Sequence, residues 1–350
     1  MTHHGHWGRL VAALTFGSML WAGGPAAADP VADFYTGKTV QILIGYSVGG
    51  GYDIYGRTLA RYMGKHIPGN PVVVPQNMPG AGSLRLVNFL YKAAAKDGTV
   101  IGTFARGAAM DPLLDASQAG QYDATKFNWI GSVTNEVSTC VFWHASGIKT
   151  WQDMQTKPFS VGGTGPSADT DVFPKALRDL FKLPLKLVTG FPGGADVVLS
   201  LERREVDGRC GWSWSSLMSR HKALLDAGQL NVTVQLALAK HEDLPNVPLV
   251  MDLTDDPKTK AALKLIFSRQ AMARPFAMPP GVPPERVAAI RKAFDETMKD
   301  PEFLAEAEKL ELEVRPLTGQ EVDKLLQEIY ATPRDVVKMA SDALKQRDVQ

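Results

Sequence analysis

The sequence predicts an α/β fold built from two strand–glycine-loop–helix units that face each other across a cleft. Three observations carry this. Residues 39–44 form an apolar, partly β-branched run that leads into Gly49-Gly50-Gly51 and then into a segment with apolar residues spaced by three and four. The alternation continues as strand, helix, strand through residue 104, a βαβαβ pattern that implies a parallel sheet. The same layout returns over residues 159–210, again with a glycine-rich loop after each strand. In open α/β sheets ligands sit at the carboxyl ends of the strands, where these loops lie.

Residues 1–28 read as an export leader. Arg9 supplies the positive end, residues 10–21 the apolar stretch, and Ala26-Ala27-Ala28 a cleavage site before Asp29. His3, His4 and His6 fall inside this leader, so they are assigned no metal-binding role. No later run approaches bilayer-spanning length. The mature chain is therefore expected in the periplasm, soluble and exported. The chain carries 38 basic against 37 acidic residues, and Arg9 in the leader is the single excess. A balanced chain without a basic block argues against nucleic acid and against membrane-surface binding.

The first loop organises the chain. Val40, Ile42 and Ile44 fit a buried strand. The glycines let the backbone turn tightly and approach a ligand. Asp53 is expected to cap a helix whose apolar face includes Tyr55, Leu59, Tyr62 and Met63. A helix N-terminus behind glycines is an anion site, here read as a cradle for a carboxylate. Other readings compete. Gly45-Tyr46-Ser47-Val48-Gly49 matches the nucleophile elbow G-x-S-x-G, but a single strand precedes it, and His144, His221 and His241 carry no local signature of a base. Residues 51–58, GYDIYGRT, resemble a P-loop with Arg57 in place of Lys, yet they fall inside the expected helix. A structural turn without a ligand is the plainest alternative.

The rest follows in order. A short strand at 71–75, a turn-rich loop at 77–82 and a helix at 84–95 precede a strand at 99–104. Residues 111–129 look irregular, and 129–133 and 138–144 extended. Strands near 159–161 and 185–189 feed helices at about 171–181 and 195–204, and a further strand begins at 206–210. The tail reads as helices at about 285–299, after Pro301, at 320–330 and at 333–345. A short strand is expected near 312–314, and Thr318 with Glu321 forms a capping box.

Arg106 follows a strand where a cleft loop belongs. Its fork suits a carboxylate, but an ion-paired role fits equally. Arg209 stands in the same position. Trp212 and Trp214, if both lie on a strand, share a face that is either core or one wall of the cleft. Asp169 and Asp171 suit the charge preference of a helix N-terminus. No residues have metal-ligand spacing, no cofactor is implied, and no catalytic triad emerges, so the chain is not expected to be an enzyme.

Four stretches carry a family resemblance: ILIGYSVGGGYDIYGR at 42–57, NMPGAGSLRLVNFLYKAAAKDGTVIG at 77–102, FPGGADVVLSLERREVDGRC at 191–210, and FAMPPGVPPERVAAIRKAFDETMKDPEF at 276–303. The chain resembles the Bug-type periplasmic receptors of tripartite tricarboxylate transporters. The resemblance implies a two-lobed, type II periplasmic-binding-protein fold, with residues 29–132 and 245–350 in one lobe and 133–244 in the other. It implies a monomeric receptor that hands a small organic carboxylate, a di- or tricarboxylate or an aromatic acid, to one large and one small integral-membrane subunit. Ligand-binding positions carried over or placed at the cleft are Tyr46, Ser47, Gly49, Gly50, Gly51, Tyr52, Asp53, Arg106, Gly163, Thr164, Gly165, Ser167, Asp169, Phe191, Arg209 and Trp212. Tyr46, Tyr52 and the stretch 209–214 are bulkier than the family pattern, which suggests an apolar or aromatic ligand body. The implied topology puts Cys140 and Cys210 on neighbouring strands, as a disulfide or as two buried thiols. A secreted esterase using Ser47, and an exported sensor feeding a signalling partner, are the competing functions.

Overall fold

A computed structural model describes residues 1–5, 29–115 and 121–345. Most of the expected leader, residues 6–28, lies outside the described residues. Asp29 caps a short helix, α1 (Pro30–Tyr35), by accepting from Val31 N at 2.9 Å. Then come β1 (Thr39–Ile44), α2 (Gly51–Met63), β2 (Val72–Asn77), α3 (Leu84–Lys92) and β3 (Val100–Thr103). β1 pairs in parallel with β2 on one side and β3 on the other, the sheet that the βαβαβ pattern implies. The P-loop-like residues lie within α2. The stretch expected to be irregular contains a turn of helix, α4 (Asp111–Leu114), before β4 (Asn128–Ser132).

The chain then crosses into a second sheet through β5 (Ser138–Trp143). It continues through α5 (Trp151–Thr156), β6 (Phe159–Gly162), α6 (Asp169–Phe181), β7 (Leu185–Val188), α7 (Gly194–Glu202), β8 (Gly208–Ser213), α8 (Trp214–Asp226) and β9 (Leu230–Leu236). The order is β7-β6-β8-β5-β9, with β6 parallel to β7 and β8, and β5 antiparallel to β8 and β9. Trp214 starts α8 and is not a strand residue, because the chain turns from β8 straight into a helix at Ser213.

The return path is α9 (Pro257–Phe267), β10 (Pro275–Met278), α10 (Pro284–Thr297), α11 (Pro301–Lys309), β11 (Leu317–Thr318), α12 (Gly319–Tyr330) and α13 (Arg334–Leu344). β10 enters the first sheet antiparallel between β3 and β4, giving the order β11-β4-β10-β3-β1-β2. The short strand expected at 312–314 is instead β11, which pairs with Ser132 and Gly131 of β4. The capping box forms as read, with Thr318 accepting from Glu321 N and Glu321 from Thr318 N.

The molecule is thus two-lobed. The passage from β4 to β5 runs beside the segment that leads into β10: Val133 N donates to Arg274 O at 3.1 Å, Ala273 N to Thr134 O at 2.9 Å, and Glu136 N to Gln270 O at 3.0 Å. One apolar cluster continues across this side, from Leu90 and Phe104 through Phe267 and Ala340 to Phe173 and Cys140. Cys140 and Cys210 face each other in the β5–β8 register and are joined as a disulfide, with Cα atoms 3.9 Å apart. Among the described residues no helix is long and apolar enough to cross a membrane.

Candidate functional site

The lobes meet around a cavity of about 50 Å3 lined by residues of both. Four helices point their N-termini at it. Gly50 and Gly51 begin α2, Ala168 to Thr170 begin α6, Gly194 begins α7, and Ser213 precedes α8. None of the four has a side-chain cap. The positive ends of four helix dipoles therefore converge on one space, although at α8 Glu136 already accepts from Ser215 N at 3.2 Å. Asp53 is not the cap of α2, because Gly50 already holds the extended cap conformation. Asp53 sits within the first turn, reaches back to Gly49 N at 2.9 Å, and is held by Arg57 and Asn77 at 2.8 Å each. Its carboxylate braces the loop and does not line the cavity.

Three guanidinium groups line the space: Arg106, Arg209 and Arg274. Arg106 is 2% exposed and donates to Asp169 across the lobe boundary and to Ser138 Oγ at 2.9 Å. Burial works most strongly against its charge, but Asp169, Tyr52 and Glu136 together outweigh it and the pKa is raised. Arg106 thus lines the cleft and is ion-paired there. Arg209 has no carboxylate partner among the described residues. It donates to Gly194 O at 3.1 Å and rests on the Trp212 ring at 4.8 Å. Burial pulls it down to about 9, which leaves it charged at neutral pH. Arg274 lies over the rings of Tyr52 and Tyr55, and its Nη2 is 3.3 Å from Glu136 and 2.9 Å from Ser216. Arg106 Nη1, Arg209 Nε and Arg274 Nε have no hydrogen-bond partner within the described protein. Buried donors of this kind mark a place where an anion's oxygens would be bonded.

The structure brings together eight of the sequence-derived positions: Tyr46, Gly50, Gly51, Tyr52, Arg106, Thr164, Asp169 and Arg209. Tyr46 and Tyr52 stack with centroids 4.8 Å apart, and burial raises the pKa of both phenols. The remaining positions sit around the cavity and do not line it. Ser47 Oγ donates across the lobes to Asp196 at 2.7 Å. Gly49 turns the loop at φ +90°. Gly163 makes room for Asp171, which a Cβ would approach to 2.3 Å. Gly165 presses on the first lobe, where a Cβ would meet Gly82 N at 2.4 Å. Ser167 backs onto Gly107, Phe191 lies behind β6 beside Gly162, and Trp212 is core. Trp212 nonetheless supports the site from below, as the platform for Arg209.

The sequence reading missed Ala105, Ala168, Gly194, Gly211, Ser213, Ser216 and Arg274, while Thr170, which the resemblance places beside the second loop, does line the cavity. Gly194 had a visible signal, the Gly193-Gly194 pair at a helix start. Arg274 had none, since its place depends on β10 returning to the first sheet.

No protein-family model matches the chain, and no curated protein sequence matches it. Solved structures do. The periplasmic binding protein BugD superposes with a TM-score of 0.71 at 18% identity, covering 88% of this chain and 98% of that one. MatC from Rhodopseudomonas palustris, solved with malate, gives 0.67 at 17% over 88% and 99%. Another R. palustris protein, solved with adipate, gives 0.67 at 14% over 87% and 97%. The chain has the fold of the Bug- and TctC-type periplasmic binding proteins. Those neighbours are binding proteins, and among the described residues no group of three or more His, Cys, Asp or Glu is arranged to hold a metal.

Proposed function

We propose that the protein is a periplasmic receptor of the Bug type that captures a small organic dianion, such as a dicarboxylate, and delivers it to a tripartite transporter with one large and one small membrane subunit. The observation that carries this is the convergence of four helix N-termini and three guanidinium groups on one interlobe cavity. The lining holds three positive side chains against one negative, Asp169, and a ligand with two negative charges balances it. Malate and adipate, each with two carboxyl groups, occupy the neighbours MatC and the adipate-bound protein. A cavity of about 50 Å3 is room for only a few water molecules, so an organic acid enters when the lobes part and is held when they close. Ligand contacts with both lobes then shift the population toward the closed form that a transporter recognises.

The test is a thermal-shift screen of mono-, di- and tricarboxylates followed by calorimetry, since a ligand that binds only the folded state raises its melting temperature. Tight binding of a neutral sugar with no response to any carboxylate would remove the proposal. We place the lobe division at 29–132 with 245–350 against 133–244. Structures solved with and without ligand should show the lobes rotating about the boundaries near 132–133 and 244–245, and a pivot elsewhere redraws the division. The esterase reading gains no support. Ser47 bonds Asp196, while His241 contacts Glu313, His221 packs on Trp212 and His144 on Trp143. Delivery to a sensor in place of a transporter is separated by whether genes for the two membrane subunits adjoin this one.

A further inference from the structure

An acid in the lining of an anion site works against the ligand, so Asp169 needs an explanation. As the first residue of α6 it could serve that helix alone, with its carboxylate in solvent. Instead its side chain is about 10% exposed and turned into the lobe boundary, between Arg106 and Arg269. Oδ2 takes the Arg106 fork. Oδ1 is 3.7 Å from Arg269 and has no hydrogen-bond partner among the described residues. The negative charge is therefore part of the cavity wall, beside whatever shares the cavity.

The neighbouring charges do not cancel its effect. Glu136 lies behind Arg274 and Arg269 behind Asp169, and farther out Asp111 faces Arg269 while Arg220 lies near His221, two of each sign, so these outer charges leave the balance of the lining unchanged. His221, near Arg209, is pushed down to about 4 by burial and by Arg209 and Arg220, and adds no charge at neutral pH. The tyrosines are held neutral. The excess of two positive charges thus depends on Asp169. Uncompensated charge is costly in a buried space, so the excess dictates what the space accepts.

We propose that Asp169 sets the charge of the ligand: it holds the cleft to dianions, and without it the cleft would favour trianions. This rests on the reading of the cleft as a carboxylate site. Asp169 repels each ligand charge separately, so its removal favours a triacid more than a diacid, and a diacid more than a monoacid.

The experiment is calorimetry at mildly alkaline pH and fixed ionic strength with butanoate, succinate and tricarballylate, which ionise to one, two and three charges on similar carbon skeletons. The wild-type protein is expected to bind succinate most tightly. Asp169→Asn is expected to raise the affinity for tricarballylate relative to succinate by about tenfold or more. Asp169→Glu, which keeps the charge, should restore the wild-type order. A wild-type protein that binds tricarballylate best overturns the proposal, even where the Asn variant fails to fold. So does an Asn variant that still binds succinate with an unchanged ratio. Binding of none of the three acids by the wild type overturns the carboxylate reading itself and this inference with it, a result distinct from an unchanged ratio.

Discussion

Arg106, just after β3 in the first lobe, donates its Nε to Asp169 Oδ2, at the start of α6 in the second lobe, at 2.5 Å. One ion pair therefore lies in the cleft lining and also joins the lobes. A ligand oxygen bonded to Arg106 Nη1, which has no partner of its own, would be bonded to both lobes through a single guanidinium. Arg106→Ala should weaken dicarboxylate binding by about tenfold to a hundredfold, the range of a lost charge-assisted hydrogen bond. Arg106→Lys should recover only part of it, since the fork is lost while the charge remains. Calorimetry decides, and unchanged affinity in the Ala variant would take Arg106 out of the site.

Gly51 separates folding from closure. A Cβ there would lie 2.1 Å from Ser216 Oγ and 3.1 Å from Arg274 Nη2, both of which approach from beyond α2. Within α2 itself Ala is a better residue than Gly. Gly51→Ala should therefore leave the melting temperature of the unliganded protein nearly unchanged and reduce ligand affinity by about tenfold or more, because closure now costs an overlap or a displaced Ser216. Gly50 is the weaker site for this test, since its nearest neighbour, Gly194 N, would be 3.8 Å from a Cβ. Wild-type affinity in Gly51→Ala would show that the lobes do not need this approach.

The Cys140–Cys210 bridge closes a loop with a sequence separation of 70 within the second lobe. The chain-entropy relation gives such a closure roughly 4 kcal/mol. Alkylation of the purified protein without reductant should label neither cysteine. The double Ser variant should lose several degrees of melting temperature while keeping ligand affinity, because the bridge lies in the sheet and outside the cavity lining. Two labelled cysteines in the unreduced protein would reject the bridge.

Where the sequence was readable, the signal was local. The run Val40, Ile42, Ile44 and the glycines after it announce a strand, a tight turn and a helix within some twenty residues, and β1 and α2 form there. The Thr318–Glu321 capping box spans three residues and needs no tertiary context. What could not be read depends on distant pairing. β10 becomes a strand between β3 and β4 by filling a gap in the sheet, and this brings Arg274 into the cleft. The strand expected at 312–314 moves to 317–318 because β4 is the edge it must meet. Trp212 and Trp214 look alike in sequence, but the first lies in a strand and the second starts a helix, and α8 then delivers Ser216 to the cavity. Arg106 was undecidable because its partner, Asp169, is 63 residues away.

His241 and Glu313 give the closing prediction. His241 follows β9 in the second lobe, and Glu313 precedes β11 in the first lobe. Their Nε2 and Oε1 atoms are 2.9 Å apart. The other charged groups around them are Asp243, 3.6 Å from His241, Glu136 more distantly, and Arg315, which contacts Glu313 and Glu242. The bond to Glu313 raises the His241 pKa above its ordinary 6.5 against an opposing effect of burial, with the charges of Glu313 and Asp243 adding to the rise. A histidine whose folded pKa is raised contributes its stability fully below 6.5 and loses it as pH climbs through the raised value. The difference in melting temperature between the wild type and His241→Gln should therefore be largest on the acid side of that window, worth on the order of 1 kcal/mol, and should fade on the alkaline side. Glu313→Gln should flatten the same profile. A wild-type advantage that is constant across the window, or that grows with pH, would mean that the contact is made by neutral histidine and that its charge plays no part in holding the lobes together.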